Sequence, residues 1–146
     1  TKSAKQYQAC YSNVFLATMT PSTAGVNNMQ IEVLEALGES NASGTPQKLS
    51  KRIRAIVKDL RNGLIVIDEA QHLSEKALEE IRGWHDATGI GIALFGNISI
   101  LQRLEGGNRR DAFAQLFSRV SLKVVRPQPL HGDVEPMAHA WGIFDD

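Results

Sequence analysis

The sequence is poor in the features that mark several classes of protein. It has one cysteine, Cys10, which excludes an internal disulfide and a zinc site built from several cysteines, so an intracellular protein is expected. No apolar run approaches the roughly 20 residues of a membrane span. Sixteen basic residues balance sixteen acidic ones, so a surface that attracts nucleic acid must be local. These absences leave one domain of 146 residues, long enough to bury a core.

One apolar stretch organises the rest of the chain. The run 64–67 follows a glycine and ends at Asp68 and Glu69. Its branched apolar residues predict a short strand buried on both faces, as in a parallel sheet. A strand that ends in Asp-Glu is the Walker B pattern, in which the aspartate orders Mg²⁺ and the glutamate polarises the attacking water. The plainer alternative is a strand that ends in a polar loop.

Strands and helices are predicted to alternate along the chain. Apolar strand patterns occur at 14–19, 90–95 and 120–125, and apolar residues recur at helical spacing at 2–9, 26–37, 46–61, 74–88, 98–104 and 112–117. Thr45 and Ser74 are expected to cap the helices that they precede. The alternation predicts a three-layer α/β/α domain with a mostly parallel sheet and helices on both faces.

Asn97 lies two residues beyond the predicted strand at 90–95, directly after Gly96. An amide at the tip of a strand beside Asp68 and Glu69 can hold the attacking water or touch the γ-phosphate of a nucleotide. The alternative is a turn amide that caps the next helix.

A complete phosphate-binding loop is missing from the sequence. Such a loop reads Gly-x-x-x-x-Gly-Lys-Ser/Thr, and no Gly-Lys-Ser or Gly-Lys-Thr occurs here. Yet the order of Thr1, a short helix and a strand is the order found after that loop. We therefore expect Thr1 to be its last residue and to offer Mg²⁺ a hydroxyl. An ordinary terminus is the alternative.

Basic residues are concentrated in the predicted helix at 46–61. They are Lys48, Lys51, Arg52, Arg54, Lys58 and Arg61. A local patch of this kind could follow DNA phosphates with little sequence preference, and a solvated helix face is the alternative.

Six stretches, taken in order along the chain, resemble the phage Mu transposition protein B family. Members of that family are AAA+ target-selection ATPases of transposable phages and related elements. The stretches are 1–7, 17–22, 64–73, 91–97, 106–110 and 112–119, and Gly-Gly-Asn-Arg at 106–109 and Leu-Phe-Ser-Arg at 116–119 are the most specific. The chain departs from the family by lacking the phosphate-binding loop, the amino-terminal DNA-binding region and most of the helical lid. The resemblance implies an AAA+ P-loop core without its first strand at 1–127, and the start of the lid at 128–146.

The resemblance also implies an ATPase cycle and residue roles. Thr1 and Asp68 would hold Mg²⁺, Glu69 would activate water and Asn97 would sense the γ-phosphate. Arg119 would reach the neighbouring subunit's nucleotide; its alternative is a surface arginine near a helix end.

The partners implied are double-stranded DNA, a transposase and further copies of the chain in a filament or ring, in the cytoplasm of a bacterial host and without a membrane. The candidate DNA contacts are Lys48, Lys51, Arg52, Arg54, Arg109 and Arg110, of which the last two could instead face a neighbouring subunit. An AAA+ ATPase of a secretion system, acting on protein partners at a membrane, shares the Asp-Glu-Ala-Gln-His pattern. A third hypothesis is an interaction domain that binds no nucleotide.

Overall fold

The computed structural model describes residues 1–105 and 118–126 and the single positions 132 and 136. Three strands lie within these residues: β1 (Val14–Thr18), β2 (Leu64–Asp68) and β3 (Gly91–Leu94). The helices are α1 (Lys2–Cys10), α2 (Val26–Ala36), α3 (Pro46–Lys58), α4 (Glu75–Thr88) and α5 (Ile98–Glu105). Short 3₁₀ turns cover Pro21–Thr23 and Ala70–His72.

The three strands form one parallel sheet in the order β1-β2-β3. Thr18 pairs with Asp68, and Ile67 pairs with Leu94. Because all three strands run the same way, their carboxyl ends meet at one edge of the sheet. The predicted α/β class with a parallel sheet is confirmed.

The alternation of side chains along β2 supplies both faces of the sheet. Val66 packs with Ala4 of α1 and Val14 of β1 on one face. Ile65 and Ile67 are fully buried on the other face, in the larger cluster that includes residues of α2, α3 and α4. The helices therefore cover the sheet on two sides, as a strand with no polar alternation requires.

The helix caps predicted at Thr45 and Ser74 are confirmed, whereas the helix predicted to be capped by Ser22 or Thr23 has Gly25 at its N-cap. The Thr45 hydroxyl accepts a hydrogen bond from the backbone N–H of Lys48 at 3.4 Å, and Ser74 accepts one from Ala77 at 3.2 Å. Each cap satisfies one of the N–H groups that a helix start leaves without an intrahelical partner.

The prediction of a strand at 120–125 is wrong. This segment has no regular secondary structure, and Leu122 and Val124 are 79% and 67% exposed. Branched apolar residues favour a strand only where a neighbouring strand completes the hydrogen-bond ladder, and none of β1, β2 and β3 pairs with this segment. The helix predicted at 112–117 lies outside the described residues, as does the lid segment 128–146 apart from positions 132 and 136.

None of the helices in the described ranges is both long and apolar enough to cross a bilayer.

Candidate functional site

Hydrogen bonds beyond the strands hold the carboxyl edge of the sheet together. The Met19 N–H donates to the Asp68 carbonyl at 2.9 Å. On the other side of β2, the Phe95 N–H donates to the Ile67 carbonyl and the Ala70 N–H donates to the Phe95 carbonyl, both at 2.8 Å. The ends of β2 and β3 are therefore fixed relative to each other where the polar residues begin.

Asp68 is nearly buried, with 3% of its surface exposed. Its Oδ1 accepts a hydrogen bond from the Glu69 N–H at 3.1 Å, and its Oδ2 contacts the amino group of Thr1. The hydrogen bond from Glu69 offsets part of the cost of burying a carboxylate. The structure thus brings Thr1 and Asp68 together, and their role as Mg²⁺ ligands stays a prediction.

Thr1 is also the residue directly before α1. Its hydroxyl accepts a hydrogen bond from the Ala4 N–H at 3.3 Å and so caps the helix. Ala4 is buried against the sheet, so the cap and this packing together fix where the first residue lies.

Glu69 is exposed and adopts a left-handed backbone conformation, with φ 56° and ψ 37°. This conformation is uncommon for a residue other than glycine, asparagine or aspartate. Its carboxylate accepts a hydrogen bond from the side-chain amide of Gln71 at 2.5 Å.

Asn97 caps α5. Its Oδ1 accepts hydrogen bonds from the N–H and hydroxyl of Ser99, at 2.9 and 2.5 Å. A side-chain amide also carries an NH₂ group that donates, and a phosphate sensor uses that group. The cap and the predicted sensor role are therefore compatible, because they use different atoms of Asn97.

Gln71 is a site residue that the sequence analysis missed. Its side chain contacts the Glu69 carboxylate with one end and the Asn97 N–H with the other, the latter at 3.3 Å. The available signal was its position two residues after Glu69. A glutamine in a loop has no spacing or charge pattern that would have singled it out.

Arg119 lies away from this cluster. Its Nε donates to Oδ1 of Asp86 at 3.0 Å, while Oδ2 of Asp86 accepts from Arg82 at 2.5 Å. The hydrogen bond from Arg119, followed by the charges of Arg119 and Arg82, lowers the pKa of Asp86 below its ordinary value despite some desolvation.

The position of Asp86 on α4 fixes the side of the domain on which Arg119 lies. The helix leads from the end of β2 back to the start of β3, and Asp86 comes eleven residues after Glu75. At 1.5 Å per residue, this is roughly 16 Å from the first turn. Arg119 is therefore near the opposite edge of the sheet from Glu69.

The candidate DNA contacts on α3 differ in their surroundings. Lys48 and Lys51 are exposed. Arg52 forms an ion pair with Glu39. Arg54 is half-buried, and its Nε is a buried atom without a hydrogen-bond partner. Arg109 and Arg110 lie outside the described residues, so Lys48 and Lys51 are the candidates that the structure leaves most accessible.

Sequence comparison identifies known proteins that are similar to this chain. A family model described as an AAA domain matches residues 1–104. The ATP-dependent target DNA activator B of Escherichia phage Mu is 36% identical over 143 residues, which covers 98% of this chain and 46% of that protein. The protein of the same name from Escherichia phage D108 gives the same identity and coverage.

A further relative comes from a bacterial genome. The Mu-like prophage FluMu DNA transposition protein B of Haemophilus influenzae is 33% identical over 147 residues, covering all of this chain and 51% of that protein. The chain thus spans about half the length of the curated relatives that it matches.

Proposed function

The chain belongs to the AAA domain family, in the group of the phage Mu transposition protein B, and we propose that it is the nucleotide-binding part of an ATP-dependent DNA-binding protein. In this proposal the protein binds double-stranded target DNA with little sequence preference and presents it to a transposase. The observation that carries the ATPase part is the cluster of Thr1, Asp68, Glu69 and Asn97 at one edge of the sheet.

The donor atoms of this cluster fit Mg²⁺. Magnesium prefers oxygen ligands and is bound through one or two carboxylates together with phosphates and water. Asp68 offers a carboxylate whose position is fixed by burial, and Thr1 offers a hydroxyl on the residue that contacts it. When bound, the ion would neutralise negative charge on the phosphates.

Glu69 and Asn97 would act on the attacking water and the γ-phosphate. The Glu69 carboxylate is exposed and acceptor-only, so it can take a proton from a water molecule beside it. Asn97 has donor hydrogens on Nδ2 in addition to the Oδ1 that caps α5. Positioned donors of this kind stabilise charge that develops on a phosphoryl group.

DNA binding is assigned in this proposal to the exposed face of α3. Lys48, Lys51 and Lys58 recur along one side of this helix and are exposed, while Leu49, Ile53 and Val57 on its other side are buried. Lysines on a rigid helix can contact phosphates without reading bases, which agrees with binding that tolerates many sequences.

The proposal is tested with the purified protein, a fluorescent ATP analogue and a labelled random-sequence duplex. We expect the analogue to bind in the presence of Mg²⁺. We also expect ATP to raise the affinity for the duplex relative to ADP, measured by fluorescence anisotropy, and this affinity to fall steeply with salt. Protein that binds neither nucleotide nor DNA, or whose DNA affinity is the same with ATP, ADP and no nucleotide, would refute the proposal.

A further inference from the structure

The backbone of Glu69 is held in its left-handed conformation from both sides. Before it, the Asp68 carbonyl accepts from Met19; after it, the Ala70 N–H donates to Phe95. The Glu69 carbonyl itself accepts from His72 at 3.1 Å. A residue other than glycine in this conformation is strained, and the conformation persists where its surroundings over-determine it. The site thus fixes the direction in which the Glu69 side chain leaves the sheet.

The side chain of Glu69 is held by Gln71. The Gln71 Nε2 donates to Oε2 of Glu69 at 2.5 Å, and Oε1 of the same amide accepts from the Asn97 N–H at 3.3 Å. A carboxylate only accepts and a backbone N–H only donates, so one orientation of the amide satisfies both. The amide therefore links the acid at the end of β2 to the turn between β3 and α5.

Gly96 provides the space in which this amide lies. A Cβ at position 96 would stand 2.7 Å from Oε1 of Gln71, closer than such atoms approach in proteins. The atom that would be displaced is the end of a flexible side chain, so an alanine at this position moves the amide while the backbone can keep its path. The absence of a side chain at Gly96 and the position of the Gln71 amide are thus linked.

We propose that Gln71 is a positioning residue, which holds the Glu69 carboxylate beside the Asn97 turn in the orientation that activates water. This inference rests on the proposed ATPase function and adds to it. Gln71 itself touches neither the nucleotide nor the water in this scheme.

The first test compares Gln71→Ala and Gln71→Glu with Gln47→Ala, which changes an exposed glutamine in the first turn of α3. Gln71→Glu keeps the shape of the side chain but replaces the donor with a second carboxylate. We expect both Gln71 variants to lower kcat of ATP hydrolysis by roughly 10- to 100-fold, with KM and the affinity for a fluorescent ATP analogue unchanged. Gln47→Ala should match the unaltered protein. An unchanged or raised kcat in the Gln71 variants would overturn the inference.

The second test uses Gly96→Ala, which displaces the amide without removing it. We expect its kcat to fall like that of Gln71→Ala, and the double variant to be no slower than either single one, because both act through the same contact. Losses that multiply in the double variant would contradict the shared contact.

A third measurement separates this inference from the function on which it rests. It measures ATP turnover in the unaltered protein, in Glu69→Gln, which lacks the carboxylate and should be inactive, and in Gln71→Ala. If the unaltered protein hydrolyses no ATP, or Glu69→Gln is fully active, the proposed function fails. If those two proteins behave as expected and Gln71→Ala is fully active, the positioning role alone fails.

Discussion

At the scale of single residues, Glu69 combines a strained backbone with the chemistry assigned to it. Asn41 and Asn62 are the other described residues, apart from glycines, that have positive φ, and asparagine tolerates this conformation. A glutamate with the same backbone conformation raises the free energy of the folded state, and this strain occurs at the end of the strand that has the Walker B pattern. Strain at a candidate site of this kind is expected where activity depends on one side-chain direction.

Replacement of Glu69 by glycine tests this cost. Glycine removes the left-handed strain, and we expect the free energy of unfolding to rise by roughly 0.5–1 kcal/mol while ATP turnover is lost. The matched control is Asn62→Gly, at φ 53°, where we expect a change below about 0.5 kcal/mol because asparagine is already tolerated. Urea denaturation measures the free energy of unfolding of both variants, with one m-value used for all the proteins. A Glu69→Gly protein that is less stable than the unaltered one would contradict the strain.

The Arg119–Asp86 pair predicts a shift that titration can detect. Since the pKa of Asp86 is lowered in the folded protein, its favourable contribution to folding is present above the ordinary aspartate pKa. That contribution is lost as pH falls through the lowered value. We expect Arg119→Ala to raise the pKa of Asp86 toward its ordinary value, followed by NMR of the side-chain carboxyl carbon. Arg52→Ala, which removes the partner of Glu39, should leave the Asp86 titration unchanged.

The sequence predicted some of these residues and not others, for physical reasons. Asp68 and Glu69 interrupt an apolar run abruptly, and such a break is visible without any structure. The partner that Gln71 contacts, the Asn97 N–H, lies 26 positions away and meets it only because β2 and β3 are adjacent. Periodicity along the chain carries no record of that contact.

At the scale of elements, the helices were easier to predict than the strands. A helix satisfies its own backbone, so apolar spacing and the caps at Thr45 and Ser74 are sufficient evidence for α3 and α4. A strand depends on its neighbours. The segment 120–125 has the composition of a strand, yet no partner strand among the described residues, and its prediction was wrong.

The exposed face of α3 yields a prediction about DNA. The double variant Lys48→Glu/Lys51→Glu should weaken binding of a random-sequence duplex and reduce the slope of log affinity against log salt by about 2, since each lysine neutralises about one phosphate. Hydrolysis of ATP without DNA should be unchanged. Anisotropy titrations at four salt concentrations give the slope.

The control for this prediction is Lys76→Glu, which reverses an exposed lysine on α4. It changes the net charge in the same direction but on a different helix, so we expect the salt slope to be nearly unchanged. If DNA affinity falls by the same amount for each charge reversed on α3 and on α4, the effect comes from net charge in general. That result would contradict the assignment of DNA binding to α3.

At the scale of the whole molecule, the parallel sheet explains why residues far apart in sequence share one edge. Asp68 ends the central strand, Thr18 ends one neighbour and Asn97 follows the other. The alternation of strands and helices was enough to predict this layout, because connections between parallel strands must return across a face of the sheet. How subunits meet was not predictable in the same way, since an interface between copies leaves no periodic signal.

The contact of Arg119 with Asp86, away from Glu69, leads to a prediction about assembly. Arg119 contacts Asp86 near the opposite edge of the sheet, so we expect it to act on a neighbouring subunit's nucleotide in a head-to-tail assembly.

Glu69→Gln and Arg119→Ala should each abolish DNA-stimulated ATP hydrolysis when assayed alone. In an equimolar mixture, an interface between an Arg119→Ala subunit and a Glu69→Gln subunit can join an intact Glu69 to an intact Arg119. Random mixing gives about a quarter of interfaces this composition, so about a quarter of the unaltered rate should return. A mixture as inactive as its two components would mean that Arg119 does not act across the interface. An Arg119→Ala protein that hydrolyses ATP at the unaltered rate when assayed alone would mean that Arg119 has no part in hydrolysis.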